Sequence, residues 1–192
     1  GLYTAEAGRR WDELIKTFRP TWLPINAISH ADRDDMKQAA CKLGKRVYKE
    51  ISECSWMLCG PKGTGSTFHS EPHGTCVWVK LLCGAKRWIV VDHHGKGTSV
   101  SAQTLTEMEQ KPLAEALRHV EQRNIKVIDF VQRPSEVVFI PPGCHHAVFN
   151  IEDSIAVAEN MVPVVAASVP SGFTGRKDKC TEVMLKHLNG LS

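Results

Sequence analysis

The chain has 192 residues, of which 42% are hydrophobic and 23% are charged, proportions that suit a globular domain with one core. Its net charge of +3 is too small to indicate nucleic-acid binding by itself, and no apolar run is long enough to predict a membrane span. The seven cysteines include no C-x-x-C pair, which argues against a zinc knuckle and favours a reducing compartment, nuclear or cytoplasmic.

The first third of the sequence has helical patterns. Between Ala5 and Phe18, apolar residues recur at the spacing of one helix face, which predicts an amphipathic helix. Asp32–Ile51 is charged and also compatible with a helix, with Gly44 as a break. We therefore expect residues 1–53 to form a helical flank.

The middle of the chain changes to short β-like runs separated by turn residues. An apolar run over Cys54–Cys59 and a loop over Pro61–Ser66 precede them. The predicted strands are Thr67–Glu71, Cys76–Leu82, Arg87–Val91, Lys126–Val131, Glu136–Ile140, His146–Ile151 and Ile155–Met161. Leu105–Gln122 has helical spacing and is predicted to be one inserted helix. Many short strands at close spacing predict a barrel or sandwich, so the fold class is α+β.

A single domain over residues 1–192 accounts for this organisation. Its predicted parts are the helical flank (1–53), a β-barrel core (54–161) with a helical insertion (105–122), and a C-terminal flank (162–192). Within that last flank Lys179–Leu188 is compatible with a closing helix, which would also suit a homodimer. A start at Gly1 without a Met is consistent with a trimmed part of a longer protein.

A histidine and a glutamate in one predicted strand form the sharpest local feature. Because alternate side chains of a strand face the same way, His69 and Glu71 should point to one face. An imidazole and a carboxylate are two arms of the facial triad that holds Fe(II) and leaves positions open for small ligands. The H-x-E triplet alone is weak evidence, since it arises by chance in many proteins.

The second imidazole of such a triad has a source where a Pro-Pro-Gly turn enters a later strand. His145 and His146 should lie on opposite faces of that strand, so only one can reach the metal. We choose His146, whose face continues inward through Val148 and Asn150.

Several ordered segments around these residues resemble the jumonji-C (JmjC) family. They are Gly60–Ser66 with His69–Pro72, Gly74–Trp78, the G-x-K-R-W segment Gly84–Trp88, the strand Gln132–Pro141, the H-x-V-x-N segment His146–Asn150, and the later Asn160. The resemblance is greatest to the small hydroxylase branch, which includes a lysyl hydroxylase and arginine demethylase formerly called a phosphatidylserine receptor. It implies a double-stranded β-helix, that is, a jelly-roll or cupin-like barrel with flanking helices.

The resemblance also assigns roles to individual residues. It implies Fe(2+) as the metal, with His69, Glu71 and His146 as catalytic ligands, and 2-oxoglutarate as the co-substrate. Lys86 would pair with the distal carboxylate of 2-oxoglutarate, because an unpaired anion inside a barrel is costly. Ser66 keeps a hydroxyl where the family has a threonine that helps to bind the co-substrate, and Asn160 belongs to the same co-substrate group.

Three functions stay open at this point. The first is a dioxygenase that hydroxylates a lysyl or similar protein side chain. The second is an N-methyl demethylase, which Glu71 favours because several histone demethylases have glutamate where the hydroxylases have aspartate. The third is a degenerate barrel that only binds a partner, since Val79 and Ala158 replace polar co-substrate contacts of the hydroxylase branch.

The partners that follow are O2 and a protein substrate, with histones and RNA-associated proteins as candidates. RNA itself is an alternative substrate that the sequence does not specifically indicate, and no membrane partner is expected. Specificity would depend on His93–Thr104 and on the helical insertion, whose sequences carry no recognisable code.

Overall fold

A computed structural model of the chain describes residues 5–21, 55–71, 75–92 and 100–161. The predicted helices Asp32–Ile51, with its break at Gly44, and Lys179–Leu188 lie outside these residues. So do most of the loop His93–Thr104 and the whole C-terminal flank (162–192). None of the described helices is long and apolar enough to cross a membrane.

Three helices and eight strands make up the described part of the chain. The helices are α1 (Ala5–Phe18), α2 (Ala102–Glu109) and α3 (Leu113–Gln122). The strands are β1 (Ser55–Gly60), β2 (Gly65–His69), β3 (Cys76–Cys83), β4 (Lys86–Val91), β5 (Val127–Gln132), β6 (Val137–Ile140), β7 (His146–Asn150) and β8 (Ser154–Met161).

The strands form two four-stranded sheets whose strand order defines the architecture. The first sheet has the order β1-β8-β3-β6 and the second has the order β2-β7-β4-β5, with antiparallel pairing throughout. The chain changes sheet at every strand connection except the one from β4 to β5, which carries α2 and α3. This is a double-stranded β-helix, so the predicted fold class is confirmed.

The core lies between the inner faces of the two sheets. Its buried members are Val77, Val79, Leu81, Trp88, Val90, Ile140, Val148, Ala156 and Ala158. On β3 these residues alternate with Cys76 and Trp78, which face outward and pack under α1 against Ile15. The inner faces of the two sheets therefore meet in an apolar core.

Helix α1 is held against the outer face of the first sheet by an ion pair between the partly exposed Arg19 and the buried Glu159. Arg19, just after the helix, donates two hydrogen bonds to the Glu159 carboxylate at 2.9 and 2.6 Å. The indole of Trp78 donates to the same carboxylate at 3.1 Å. Because the Glu159 side chain is 1% exposed, these donors help to compensate its buried charge.

We expect the substitution Arg19→Met to lower the free energy of unfolding by about 3 kcal/mol, because it removes a charged double hydrogen-bond donor from a buried carboxylate. Urea unfolding measures this difference. The control is Arg133→Met, since Arg133 and Glu152 are more than half exposed and lie 4.0 Å apart. That variant should change stability by less than about 0.5 kcal/mol. Equal effects of the two substitutions would contradict the assigned role of Arg19.

The helical insertion differs from its prediction as one helix, 105–122. It forms two helices because Pro112 caps α3 with an extended backbone (ψ 146°) and has no N–H to continue a preceding helix. The two helices pack against the outer face of the second sheet, where their buried residues Met108 and Val120 meet Phe68 and Ile89. The insertion therefore backs the sheet that carries both candidate histidine ligands.

Candidate metal centre

Strand β2 brings His69 to the barrel but does not include Glu71. The strand ends at His69, and a register shift between Ser66 and His69 interrupts its pairing with β7. The prediction that regular alternation over Thr67–Glu71 aligns the two ligands is therefore wrong. Glu71 lies two residues beyond the end of the strand, and its Oε1 atom nevertheless lies 3.8 Å from the His69 Nε2 atom.

His146 completes the group because it lies directly opposite His69 in the β2–β7 ladder. The two ring centroids are 4.3 Å apart, and the His146 Nε2 atom is 3.4 Å from Glu71 Oε1. The ligand atoms of all three residues lie within 4.8 Å of one another. His145 points the other way, with its Nε2 atom 3.1 Å from a carboxylate oxygen of Glu109 on α2.

The orientation of both imidazoles is fixed by backbone carbonyl groups. The His69 Nδ1 atom lies 2.8 Å from the Thr67 carbonyl oxygen, and the His146 Nδ1 atom lies 3.0 Å from that of Cys144. Since a carbonyl only accepts, each Nδ1 carries the proton, and in the neutral ring each Nε2 presents a lone pair. Two lone pairs and a carboxylate then converge, which favours a proton or a metal ion between them. Two imidazoles and one carboxylate are the ligand set of a facial triad, so the residues fit Fe(II).

Electrostatics favour the metal-binding form of Glu71 and of His69. Burial raises the pKa of Glu71, but hydrogen bonding with His146 through the proton that can lie between them, the hydrogen bond from Asn160 and the nearby imidazoles outweigh it, and its pKa lies below its ordinary value. Burial and the neighbouring His146 lower the pKa of His69. A deprotonated carboxylate and a neutral imidazole are the required ligand states.

Asn160 contacts the carboxylate of the triad. Its amide nitrogen donates to Glu71 Oε2 and, at 2.9 Å, to the Thr75 hydroxyl. The sequence analysis placed Asn160 among the co-substrate residues, whereas in the structure its amide contacts the carboxylate of Glu71, a candidate metal ligand. Such a partner of a metal ligand fixes its position and tunes its charge.

Trp88 and Gln132 form a buried hydrogen-bonded pair behind His146 that the sequence analysis did not predict. The Trp88 ring stacks on the His146 ring at 5.7 Å, and its indole nitrogen donates to Gln132 at 2.9 Å. Gln132 in turn donates to the Val79 carbonyl oxygen at 2.9 Å and so ties β5 to the opposite sheet. Only the apolar run that precedes Gln132 is visible in the sequence, and it does not indicate this contact.

Lys86 occupies the other end of the same sheet interior. It is 6% exposed, and burial lowers its pKa. Its Nζ atom donates to the Asn150 side-chain oxygen at 2.6 Å, and no carboxylate of the described residues lies within ion-pair distance. Lys86 is the cross-strand partner of Asn150 in the β4–β7 ladder. Asn150 follows His146 by four residues on β7, so the rise of a strand places the two residues about 13 Å apart. A buried cation without an anion is suited to an acidic ligand.

Ser66 lies between these two ends. It is the cross-strand partner of Val148, whose side chain belongs to the inner core, so both face the barrel interior. Ser66 is exposed, which leaves its hydroxyl accessible to a ligand. Val79 and Ala158 pair with each other across β3 and β8 and present a buried apolar wall to the same interior.

Residues 56–161 match the family model described as "JmjC domain, hydroxylase". The chain is 30% identical over 121 residues to mouse "2-oxoglutarate and iron-dependent oxygenase JMJD4", covering 58% of this chain and 27% of that protein. It is 29% identical over 120 residues to Arabidopsis thaliana "Arginine-specific demethylase JMJ22", covering 58% and 23%. It is 30% identical over 125 residues to Caenorhabditis elegans "Bifunctional arginine demethylase and lysyl-hydroxylase psr-1", covering 57% and 30%. The chain thus spans less than a third of the length of these relatives.

Proposed function

This chain belongs to the JmjC domain family of the hydroxylase type, and on that premise we propose that it is an Fe(II)- and 2-oxoglutarate-dependent dioxygenase that hydroxylates a protein side chain. The observation that carries the proposal is the convergence of His69, Glu71 and His146 within 4.8 Å. The buried Lys86 cation at the far end of the same interior supports a dicarboxylate as co-substrate.

In the proposed site, His69, Glu71 and His146 would hold the metal. Fe(II) bound there would supply the activation of O2 that oxidation of a C–H bond requires. Lys86 would bind the distal carboxylate of 2-oxoglutarate, and the Ser66 hydroxyl lies on the way between the two ends. Val79 and Ala158 would keep water from the middle of the pocket.

A protein side chain is the substrate class that we propose. The names of two relatives state activity on arginine or lysyl residues, and the oxygenase relative is named for iron and 2-oxoglutarate. Histone and RNA-associated substrates, a homodimer, and a nuclear or cytoplasmic location stay predictions from the sequence.

An N-methyl demethylase is the second candidate, and Glu71 is the residue that favours it. Two of the three relatives reported above are named as arginine demethylases. Hydroxylation of a side-chain carbon adds one oxygen to the substrate, whereas hydroxylation of an N-methyl group ends in loss of that methyl as formaldehyde. Mass spectrometry of the product separates the two outcomes.

A degenerate barrel that only binds partners is the non-enzymatic alternative, and Val79 with Ala158 motivates it. Calorimetric titration with Mn(II), followed by 2-oxoglutarate, discriminates between them. An oxygenase should bind both in that order. If neither Mn(II) nor 2-oxoglutarate bound, and if His69→Ala gave the same titration as wild type, the result would favour the scaffold.

The test of activity is succinate release over a panel of lysyl, arginyl and methylated peptides and of RNA oligonucleotides. In the presence of Fe(II) and 2-oxoglutarate, we expect succinate release when one class of peptide is added as substrate. The substitution His146→Ala should abolish this release. Equal succinate release by wild type and His146→Ala would contradict the proposed metal site.

A further inference from the structure

Lys86 is held by a chain of hydrogen bonds that starts in the loop between β1 and β2. Its ammonium donates to the Asn150 side-chain oxygen at 2.6 Å, and the Asn150 amide nitrogen donates to the Thr64 hydroxyl at 3.1 Å. The Thr64 hydroxyl donates to the Pro61 carbonyl oxygen at 2.6 Å. The chain therefore runs from a surface loop to a buried cation through one amide.

The backbone of the same loop closes on Asn150 as well. The Asn150 backbone N–H donates to the Thr64 carbonyl oxygen at 2.7 Å, and its carbonyl accepts from the Gly63 N–H at 2.8 Å. A Cβ atom at Gly60 would lie 2.5 Å from the Asn150 amide nitrogen, so the chain approaches it as closely as glycine allows. Asn150 is thus fixed on its backbone and on its side chain.

The directions of these bonds decide which end of the amide faces Lys86. The Thr64 hydroxyl has one proton, which the Pro61 carbonyl takes, so toward Asn150 the hydroxyl can only accept. The Asn150 amide must therefore turn its nitrogen to Thr64 and its oxygen to Lys86. An ammonium only donates, so this orientation is also the one that Lys86 requires.

We propose that Asn150 is a positioning residue for Lys86: it holds the ammonium in place through a neutral acceptor and leaves its positive charge for the distal carboxylate of the co-substrate. This inference rests on the proposed function and adds to it. An aspartate at the same place would form an internal ion pair with Lys86. The aspartate would then neutralise the Lys86 ammonium. The distal carboxylate of 2-oxoglutarate would meet a neutralised cation and be repelled by the aspartate beside it.

The direct test is Asn150→Asp in the full chain, with 2-oxoglutarate affinity measured by calorimetry in the presence of Mn(II). We expect the dissociation constant for 2-oxoglutarate to rise by about 30-fold, the scale of one hydrogen bond to a charged group. Mn(II) affinity should stay within about twofold, because Asn150 touches none of the triad residues. In turnover, KM for 2-oxoglutarate should rise more than kcat falls. The matched control is Asn124→Asp, the same change at an exposed turn residue, which should leave both affinities unchanged.

A second pair of variants tests the orientation of the amide without changing Asn150. Thr64→Val removes the nearer of the two oxygens that accept from the amide, leaving the Pro61 carbonyl oxygen at 3.4 Å, and should weaken 2-oxoglutarate binding by about fivefold. Thr64→Ser keeps the hydroxyl and should retain wild-type affinity. Since Thr64 is exposed, both variants should fold, and they decide the question if Asn150→Asp does not.

Each result bears on one of the two proposals. Unchanged 2-oxoglutarate affinity in Asn150→Asp, or an equal loss of Mn(II) affinity, would overturn the positioning role and leave the oxygenase standing. Failure of the wild-type chain to bind 2-oxoglutarate with Mn(II) would overturn the proposed function, and the role of Asn150 with it.

Discussion

Replacing His146 with alanine should reduce the affinity for Mn(II) or anaerobic Fe(II) by more than about 100-fold, because changes even to residues that only support a metal ligand cost up to that much. His146 is 2% exposed and its Nε2 atom lies 3.4 Å from Glu71 Oε1, so the substitution removes a buried donor atom from the centre of the group. Isothermal calorimetry measures the affinity, and succinate release should disappear in parallel.

The neighbouring histidine provides a matched control for that experiment. His145 is adjacent in sequence, but it contacts Glu109 of α2 on the other side of β7. His145→Ala should therefore retain metal affinity within about threefold, with only a modest cost in stability of the order expected for a partly exposed pair. If both variants lost the metal equally, the assignment of His146 as the ligand would fail.

Replacing Lys86 with methionine should reduce 2-oxoglutarate affinity by about 100-fold while Mn(II) affinity stays unchanged. The ammonium is the one buried cation at this end of the interior among the described residues, and a carboxylate buried without it meets a large desolvation cost. Competition calorimetry with 2-oxoglutarate on the Mn(II)-loaded chain measures the loss. Lys62→Met, which removes an exposed lysine from the β1–β2 loop, is the control and should behave as wild type. Retained affinity in Lys86→Met would remove the basis for the co-substrate assignment.

The same variant predicts a pH dependence of stability. Burial lowers the pKa of Lys86 below its ordinary value of 10.5. At a pH between the lowered pKa and 10.5, the unfolded chain therefore binds more protons than the folded chain. The resulting destabilisation is complete below the lowered pKa and disappears as the pH rises towards 10.5. The free energy of unfolding of wild type should therefore increase relative to that of Lys86→Met at alkaline pH. Urea unfolding over a pH series measures the free energies of unfolding of both chains. If the two free energies changed with pH in parallel, burial of the charged Lys86 would not destabilise the folded chain.

Local sequence patterns predicted those features that depend on nearby residues. The amphipathic spacing of Ala5–Phe18 gave α1 its bounds, and the short alternating runs predicted the strands of the barrel. The choice of His146 over His145 followed from alternation along one regular strand, and the contacts of both histidines agree with it. Ordered motifs, more than any one triplet, indicated the family.

Local patterns failed where the backbone departs from regular geometry. Strand alternation did not apply at Glu71, because β2 stops at His69 after a register shift. Helical spacing did not reveal the break before Pro112, since the apolar positions keep their period on both sides of it. Periodicity reports which residues are apolar, and it does not report where backbone hydrogen bonds end.

By itself, then, the sequence determined the barrel class, the candidate ligands and the lysine that we propose for co-substrate binding. The tertiary structure alone decided that His69 stands opposite His146, that Asn160 donates to Glu71, and that Asn150 turns its oxygen to Lys86. These contacts join residues 64 to 89 positions apart in the chain. Strand register and sheet order set such contacts, and both follow from the packing of the whole barrel, which no local run of residues encodes.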